Sequence, residues 1–379
     1  MKHIIYLDNS ATTKPSKKAC EYINKALTDN WGNPSSLHTM GIDAEIMVDN
    51  ARECIARKIG ARADEIIFTG SGTEANNTAV LSALARKNRG NRVITSAIEH
   101  PSVLETVKRL ENEGFEVIRL GCDSSGKINL DELEKALNDK TVLVSIMLVN
   151  NEVGSIQPIA MAGGLIRKLS PNALFHTDAV QGFGKTDINV KKLGVDLLTA
   201  SAHKIHGPKG IGFLYCKKGI NIAPFITGGG QERGMRSGTE AVPLIAGFMG
   251  AAEELGDISR NLADINELNL YAREVFSNSG FAEINSPEDA LPYILNISVT
   301  GYRSETLLHF LESRGIFVSS GSACAKGEAS YVLKALGLDK KHSDSALRLS
   351  FSKNNTKEDI DLTVAALEEA TKRLRRSDI

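Results

Sequence analysis

The sequence predicts an α/β protein with a mainly parallel sheet in a large domain and a smaller α+β domain, and three observations predict it. Apolar β-type runs alternate with helical patterns, which implies a parallel sheet covered by helices. Several of those runs are continuously apolar, as strands buried on both faces are. The length of 379 residues exceeds what one simple core holds and suits two domains.

The elements follow in chain order. Residues 4–7 form a short apolar run that reads as a strand rather than a signal peptide. Ala44, Val48, Ala51, Ile55 and Ile59 recur at helical steps,. Residues 65–69 and 93–95 read as strands. Leu130, Leu133 and Leu137 mark another helix. Four strand-like runs follow at 142–149, 173–177, 197–199 and 211–215. The pattern changes near Gly256, after which a strand around 293–299 and a helix around 304–313 begin a new unit. The expected division is a large domain at 15–256 and a small domain made of 1–14 and 257–379. The last helix opens at Thr356-Lys357-Glu358-Asp359, a capping-box-like start. Its apolar face is Ile360, Val364, Leu367 and Leu374. The terminal Lys372, Arg373, Arg375 and Arg376 suit the negative end of a helix dipole.

Hydrophobic residues make up 42% and charged residues 24%, with a formal net charge of -1. That balance points away from nucleic acid or an anionic membrane as the main partner. No apolar stretch is long enough to span a bilayer, so a cytoplasmic location is expected. The five cysteines are Cys20, Cys54, Cys122, Cys216 and Cys324. Their odd number and unpaired spacing argue against a disulfide framework, and neither they nor the histidines have metal-ligand spacing. Cys20, Cys54 and Cys216 read as packing residues. Cys324 lies in Val318-Ser319-Ser320-Gly321-Ser322-Ala323-Cys324-Ala325-Lys326-Gly327, a small, polar stretch that suits an exposed, reactive thiol.

Five other segments carry candidate chemistry. Thr69-Gly70-Ser71-Gly72-Thr73-Glu74-Ala75-Asn76 closes a strand and opens a helix. Its small residues and helix N-terminus fit an anion, although such turns also occur without one. Lys204 in Ser201-Ala202-His203-Lys204-Ile205-His206-Gly207-Pro208 follows a buried strand. There it can form a Schiff base with an aldehyde cofactor, with Ser201 and His203 beside a phosphate; most lysines are surface charges. Asp178 ends an apolar strand, either as a cap or as the acid that keeps a pyridine ring protonated. His100 closes another strand, as a packed histidine or as one stacked on a ring. Arg348 lies inside a strand and either pairs with an internal anion or clasps a substrate carboxylate.

Together these motifs resemble the cysteine desulfurases of the NifS/IscS type, in the class V aminotransferase group. Asn33-Pro34-Ser35-Ser36, Val149-Asn150-Asn151-Glu152-Val153-Gly154 and the run from Gly228 to Thr239 carry the likeness, which spans nearly the whole chain. The resemblance implies the fold-type I architecture of pyridoxal-phosphate enzymes. It implies that Lys204 holds pyridoxal 5′-phosphate covalently, Asp178 meets its ring nitrogen, Gln181 its ring hydroxyl, and His100 its face. Gly72, Thr73, Ser201 and His203 belong to the phosphate site. Thr239 reaches the phosphate site of the other subunit of a homodimer. Asn151 and Arg348 hold the carboxylate of L-cysteine. Cys324 takes the sulfur as a persulfide, leaves L-alanine, and passes the sulfur to an acceptor protein. That acceptor is an iron–sulfur scaffold or a tRNA-thiolating enzyme. Another lyase of the same fold, such as a selenocysteine lyase, would keep Lys204 and need Cys324 less.

Overall fold

The computed structural model describes residues 4–320 and 330–376. Its large sheet has seven strands in the order Ile66–Thr69, Gly212–Cys216, Leu197–Ser201, Leu174–Asp178, Thr141–Ser145, Arg92–Ser96 and Glu116–Leu120. Gly212–Cys216 pairs antiparallel with both of its neighbours, and the other pairings are parallel. The central strands are buried along their whole length, which is why they read as continuous apolar runs.

Glu116–Leu120 is a strand that the apolar runs do not reveal. It is an edge strand carrying Glu116 and Arg119 toward solvent, and charge on an edge discourages pairing with another chain. Glu116 accepts two hydrogen bonds from Arg92 on the next strand, both of 2.9 Å. The run expected at 142–149 ends as a strand at Ser145. Beyond it, the N–H groups of Ile146 and Leu148 still donate to the carbonyls of His176 and Asp178.

Helices cover both faces. Thr39–Lys58 buries Ala44, Val48, Ala51 and Ile55, as their spacing predicts, and packs with Val242–Glu253, which also holds Lys17–Thr28. Phe183, Phe213 and Phe248 form an aromatic cluster with ring centroids 5.3–6.1 Å apart. Gly72–Leu81 and Pro101–Asn112 pack together elsewhere on the sheet. A Cβ at Gly212 would lie 2.8 Å from the Ser71 carbonyl carbon and 2.7 Å from the Ala200 oxygen. Glycine there lets the Ser71 turn sit directly on the sheet. Cys54 and Cys216 are buried, but Cys20 is exposed. Helix Lys17–Thr28 buries Ala19 and Ala26 instead, so the expectation that Cys20 packs is corrected.

A second, antiparallel sheet runs Ser319–Ser320, Ala346–Ser350, Ile294–Ser298 and Glu283–Ile284. Helices Ile258–Asn278, Ser304–Glu312 and Lys357–Arg373 pack around it. The last of these has the expected capping box between Thr356 and Asp359. The N-terminal strand Ile5–Tyr6 pairs in parallel with Ile316–Phe317. The chain then crosses from this sheet to the edge of the large one, a path that matters for the site. No helix among the described residues is long and apolar enough to cross a membrane.

The stretch before Thr239 is tied to the large sheet by a buried ion pair. Arg52 donates to both Glu232 carboxylate oxygens at 2.7 and 2.9 Å. Glu232 also accepts from the Phe68 N–H at 2.9 Å. The pair holds Glu232 and Arg233 in the left-handed region, at φ 48° and 57°. Arg52→Leu leaves Glu232 buried without its cation and is expected to cost about 3–5 kcal/mol. A thermal unfolding midpoint equal to wild type would contradict this.

Candidate active site

Side chains at the carboxyl ends of the parallel strands have one common space to fill, as in other open α/β sheets. Here they line a single cavity of about 400 Å³, a size suited to a cofactor with a small substrate. Ser201, His203 and Lys204 come from the end of Leu197–Ser201 and the 3₁₀ turn after it, and Asp178 and Gln181 follow Leu174–Asp178. Asn151 comes from beyond Thr141–Ser145, His100 from beyond Arg92–Ser96, and Gly72 and Thr73 from the helix start after Ile66–Thr69. Arg348 enters from the second sheet. Ten predicted residues scattered from 72 to 348 thus share one wall. Thr239 is exposed and lies off this wall. Cys324 lies outside the described residues.

Each polar group has a local reason for its position. Ser71 caps its helix by accepting from the Glu74 N–H at 3.1 Å. The first-turn N–H groups lack intrahelical partners and carry positive potential. Asp178 accepts from Asn76 Nδ2 at 2.7 Å and from the Val180 N–H at 2.9 Å. Its carboxylate is therefore oriented from both sides. His100 caps helix Pro101–Asn112, with Nδ1 accepting from the Ser102 N–H at 3.1 Å. Burial lowers the His100 pKa; Asp178 opposes that shift and Lys204 adds to it. For His203, burial and then the nearby lysines push the value down to about 4, so its ring is neutral at pH 7 and offers one N–H.

The N-terminal crossing supplies contacts that the isolated motifs do not. Lys204 Nζ donates to the carbonyls of Ser10 and Ala11 at 2.6 and 2.9 Å. Gln181 Nε2 donates to the same Ser10 carbonyl at 2.9 Å. Arg348 donates to the Asn151 carbonyl at 2.9 Å and to Asp8 Oδ1 at 3.0 Å. The internal ion pair allowed for Arg348 is thus formed, at the pocket itself. Burial raises the Asp8 pKa, while Arg348 and Lys204 oppose the rise.

The cavity wall also holds groups beyond the predicted set. Ser10, Asn76, Glu152, Ser330 and Tyr331 line it. Ser330 donates to Glu152 at 2.5 Å, and Tyr331 donates to the Glu99 carbonyl at 2.6 Å. Asn76 had a signal in the sequence, one helical turn after Gly72 on the same face. Glu152 sits inside the Asn150-Asn151-Glu152 motif. Asp8 and Ser10 had no local signal of a site, because tertiary crossing alone brings them there.

Pyridoxal phosphate fits this donor set. Ser10 Oγ, Asn76 Oδ1, Asn151 Oδ1 and Arg348 Nε are buried on the wall without a hydrogen-bond partner among the described residues, and buried polar groups ordinarily have one. An amine, an oriented carboxylate and a helix N-terminus converge as an aldehyde, a ring nitrogen and a phosphate require.

The chain matches the family described as Aminotransferase class-V over residues 5–363. It is 41% identical over 380 residues to a Bacillus subtilis (strain 168) protein named putative cysteine desulfurase IscS 1, covering 98% of this chain and 99% of that one. Among solved structures, a NifS-like protein superposes with a TM-score of 0.93 at 39% identity, covering 98% of this chain and 100% of that chain. A structure of SspA in complex with cysteine superposes at 0.81 with 34% identity, covering 93% and 99%.

Beneath His100, the Glu99 carboxyl is fully buried. Its Oε1 accepts from Ser96 Oγ at 2.6 Å and from the Met147 N–H at 2.8 Å. Burial raises its pKa from near 4.5 to about 8. The folded chain therefore keeps a proton that the unfolded chain releases between those values. The stability from that proton is full below about pH 4.5 and is lost as pH rises toward 8,. Relative to wild type, Glu99→Gln should gain stability as pH rises from 5 to 8, by no more than ~1.4 kcal/mol per pH unit. Unfolding curves that stay parallel across that range would contradict it.

Proposed function

The chain belongs to the aminotransferase class-V family and is a pyridoxal 5′-phosphate-dependent cysteine desulfurase, and we propose that Lys204 holds the cofactor and Cys324 accepts the sulfur. The convergence of Lys204, Asp178, His100, Asn151 and Arg348 on one cavity carries the role of Lys204, and the likeness to cysteine desulfurases supports that of Cys324. When bound, pyridoxal phosphate supplies an electron sink next to the substrate Cα.

The protein's own groups do the rest. Asp178, oriented by Asn76, faces the ring nitrogen, and Gln181 faces the ring hydroxyl. His100 covers the ring. Gly72, Thr73, Ser201 and neutral His203 hold the phosphate. Arg348 and Asn151 take the carboxylate of L-cysteine, with Arg348 steadied by the Asn151 carbonyl and Asp8. Lys204 Nζ carries the proton at the substrate Cα, and the carbonyls of Ser10 and Ala11 accept from it. The Cys324 thiolate attacks the substrate sulfur. A sulfur–sulfur bond forms as the carbon–sulfur bond breaks, and the electron pair stays with carbon, which gains a proton to give L-alanine. Cys324 is left as a persulfide, so atoms and electrons balance without an added oxidant.

In this reading residues 15–256 form the cofactor-binding domain, and 1–14 with 257–379 form the small domain that carries Cys324. The working unit is a homodimer in the cytoplasm. Two observations support the dimer. Thr239 is exposed and off its own chain's cavity wall. Between Leu27 and Ile46, large apolar side chains stand in the open, including Trp31 at 66% and Leu37 at 96% exposure; exposed apolar surface of this kind marks an interface. The persulfide then passes to an acceptor protein, either an iron–sulfur scaffold or a tRNA-thiolating enzyme.

Cys324→Ala is expected to keep the yellow absorbance of bound cofactor and lose release of sulfide from cysteine in the presence of a thiol reductant. Lys204→Ala is expected to lose the absorbance itself. Unchanged sulfide release in the first variant, or a retained band in the second, would rule out the corresponding role.

A further inference from the structure

Lys185 is a lysine where a lysine is expensive. It is only 6% exposed, and no ion pair links it to a carboxylate among the described residues. It follows Gly184, whose φ of +73° and close approach to Leu255 and Ile205 press this turn into the interior. Its ammonium lies 5.5 Å above the Tyr293 ring. Among the described residues, its one hydrogen bond to a side chain goes to Gln181 Oε1, at 3.3 Å. Lys185 and Lys204 also line the same cavity of about 180 Å³, and Lys204 lines the cofactor pocket as well. Burial, with the charges of Lys204 and Arg348, pushes its pKa down to about 7. A buried charge with so little compensation lowers stability, and such a residue is retained where it serves a site.

We propose that Lys185 is a positioning residue for the cofactor pocket, acting through Gln181 by clamping, together with the Ser10 carbonyl, the end of its amide that faces the cofactor. This rests on the reading of Gln181 as a cofactor contact. In its ammonium form Lys185 has only donors, so in that form the amide turns its oxygen toward it. The other end independently demands the same orientation, because the Ser10 carbonyl is only an acceptor and takes Gln181 Nε2 at 2.9 Å. The amide therefore presents N–H to the pocket that it lines. Nε2 carries two hydrogens and one goes to Ser10. The other is available to an oxygen on the pocket's occupant, and a donor is what an anionic ring oxygen takes. With Lys185 replaced, the Ser10 carbonyl alone holds this orientation, so the remaining N–H is less firmly directed at such a ring oxygen. The same Ser10 carbonyl holds Lys204 at 2.6 Å, so Lys185, Gln181, Ser10 and Lys204 form one chain of contacts from the second cavity to the first.

The test uses the full-length holoenzyme and follows the rate at which cofactor is lost on dilution, with the thermal midpoint in saturating cofactor beside it. Lys185→Met keeps the apolar stem and removes the donor. It is expected to speed cofactor loss about tenfold and to leave the midpoint unchanged or raised, since a buried charge is gone. Gln181→Leu is expected to speed loss at least as much, and the double variant no more than Gln181→Leu alone. Lys185→Arg, which keeps a donor, should restore part of the retention. Normal retention in Lys185→Met beside a defect in Gln181→Leu would overturn the role of Lys185 alone, as would additive effects in the double variant. A lowered midpoint with proportionate cofactor loss would make Lys185 a structural residue and overturn it too. Normal retention in Gln181→Leu would remove the cofactor contact of Gln181, and the proposal with it.

Discussion

The arrangement turns on the contact between Lys204 Nζ and the carbonyls of Ser10 and Ala11. A lysine amine at a buried strand end has three donors to place. Parallel strands direct it toward the sheet's carboxyl edge but offer it nothing there, because their own carbonyls are spent in the ladder. The N-terminal segment supplies what is missing. It leaves its pairing with Ile316–Phe317, bridges to Ser350 at Asp8, and passes over that edge. In one short stretch it meets Arg348 through Asp8, Gln181 and Lys204 through Ser10, and His203 through Thr12 and Thr13. Two sheets that share no strand are thereby joined at the rim of the pocket.

That join has an electrostatic logic. Lys185, Lys204 and Arg348 bring positive charge into a largely buried region, and carboxylates answer only part of it. Asp8 pairs with Arg348, Asp178 is held by Asn76 and a backbone N–H, Glu152 also faces the charge of Arg348, and the Ser10, Ala11 and Asn151 carbonyls accept from Lys204 and Arg348. In such a setting neighbouring bases lose protons most easily. His203 and Lys185 are both pushed down, each by burial first and then by nearby cations. The pocket is therefore set to take up negative charge, and a phosphate, a phenolate oxygen and a substrate carboxylate all bring it. A site of this kind gives up some stability in the free protein and regains it on binding.

Much of this was legible in the sequence, for identifiable reasons. Lys204, Asp178 and His100 each follow a buried apolar run, so their place at a strand's carboxyl end could be read locally. The Ser71 turn could be read from its glycines. Other features lacked a local signal. Glu116–Leu120 is an edge strand whose charges hide it. Cys20 has helical spacing, but Ala19 and Ala26 occupy the buried face. Asp8 and Ser10 reach the pocket only through the pairing of the chain's first strand with residues near 316, a contact of long sequence separation. Lys185 resembles any other lysine until its burial is known. What periodicity encodes is the face an element buries; which distant elements meet across the site is decided by how those faces pack.

The central claim is that Lys204, and no other lysine, carries the cofactor. It is tested most directly by reducing the holoenzyme with borohydride, which locks the cofactor to its lysine, and mapping the modified peptide by mass spectrometry. The structure predicts a single modified site at Lys204. Modification at Lys185, which lines a neighbouring cavity with Lys204, or at any other lysine would contradict it.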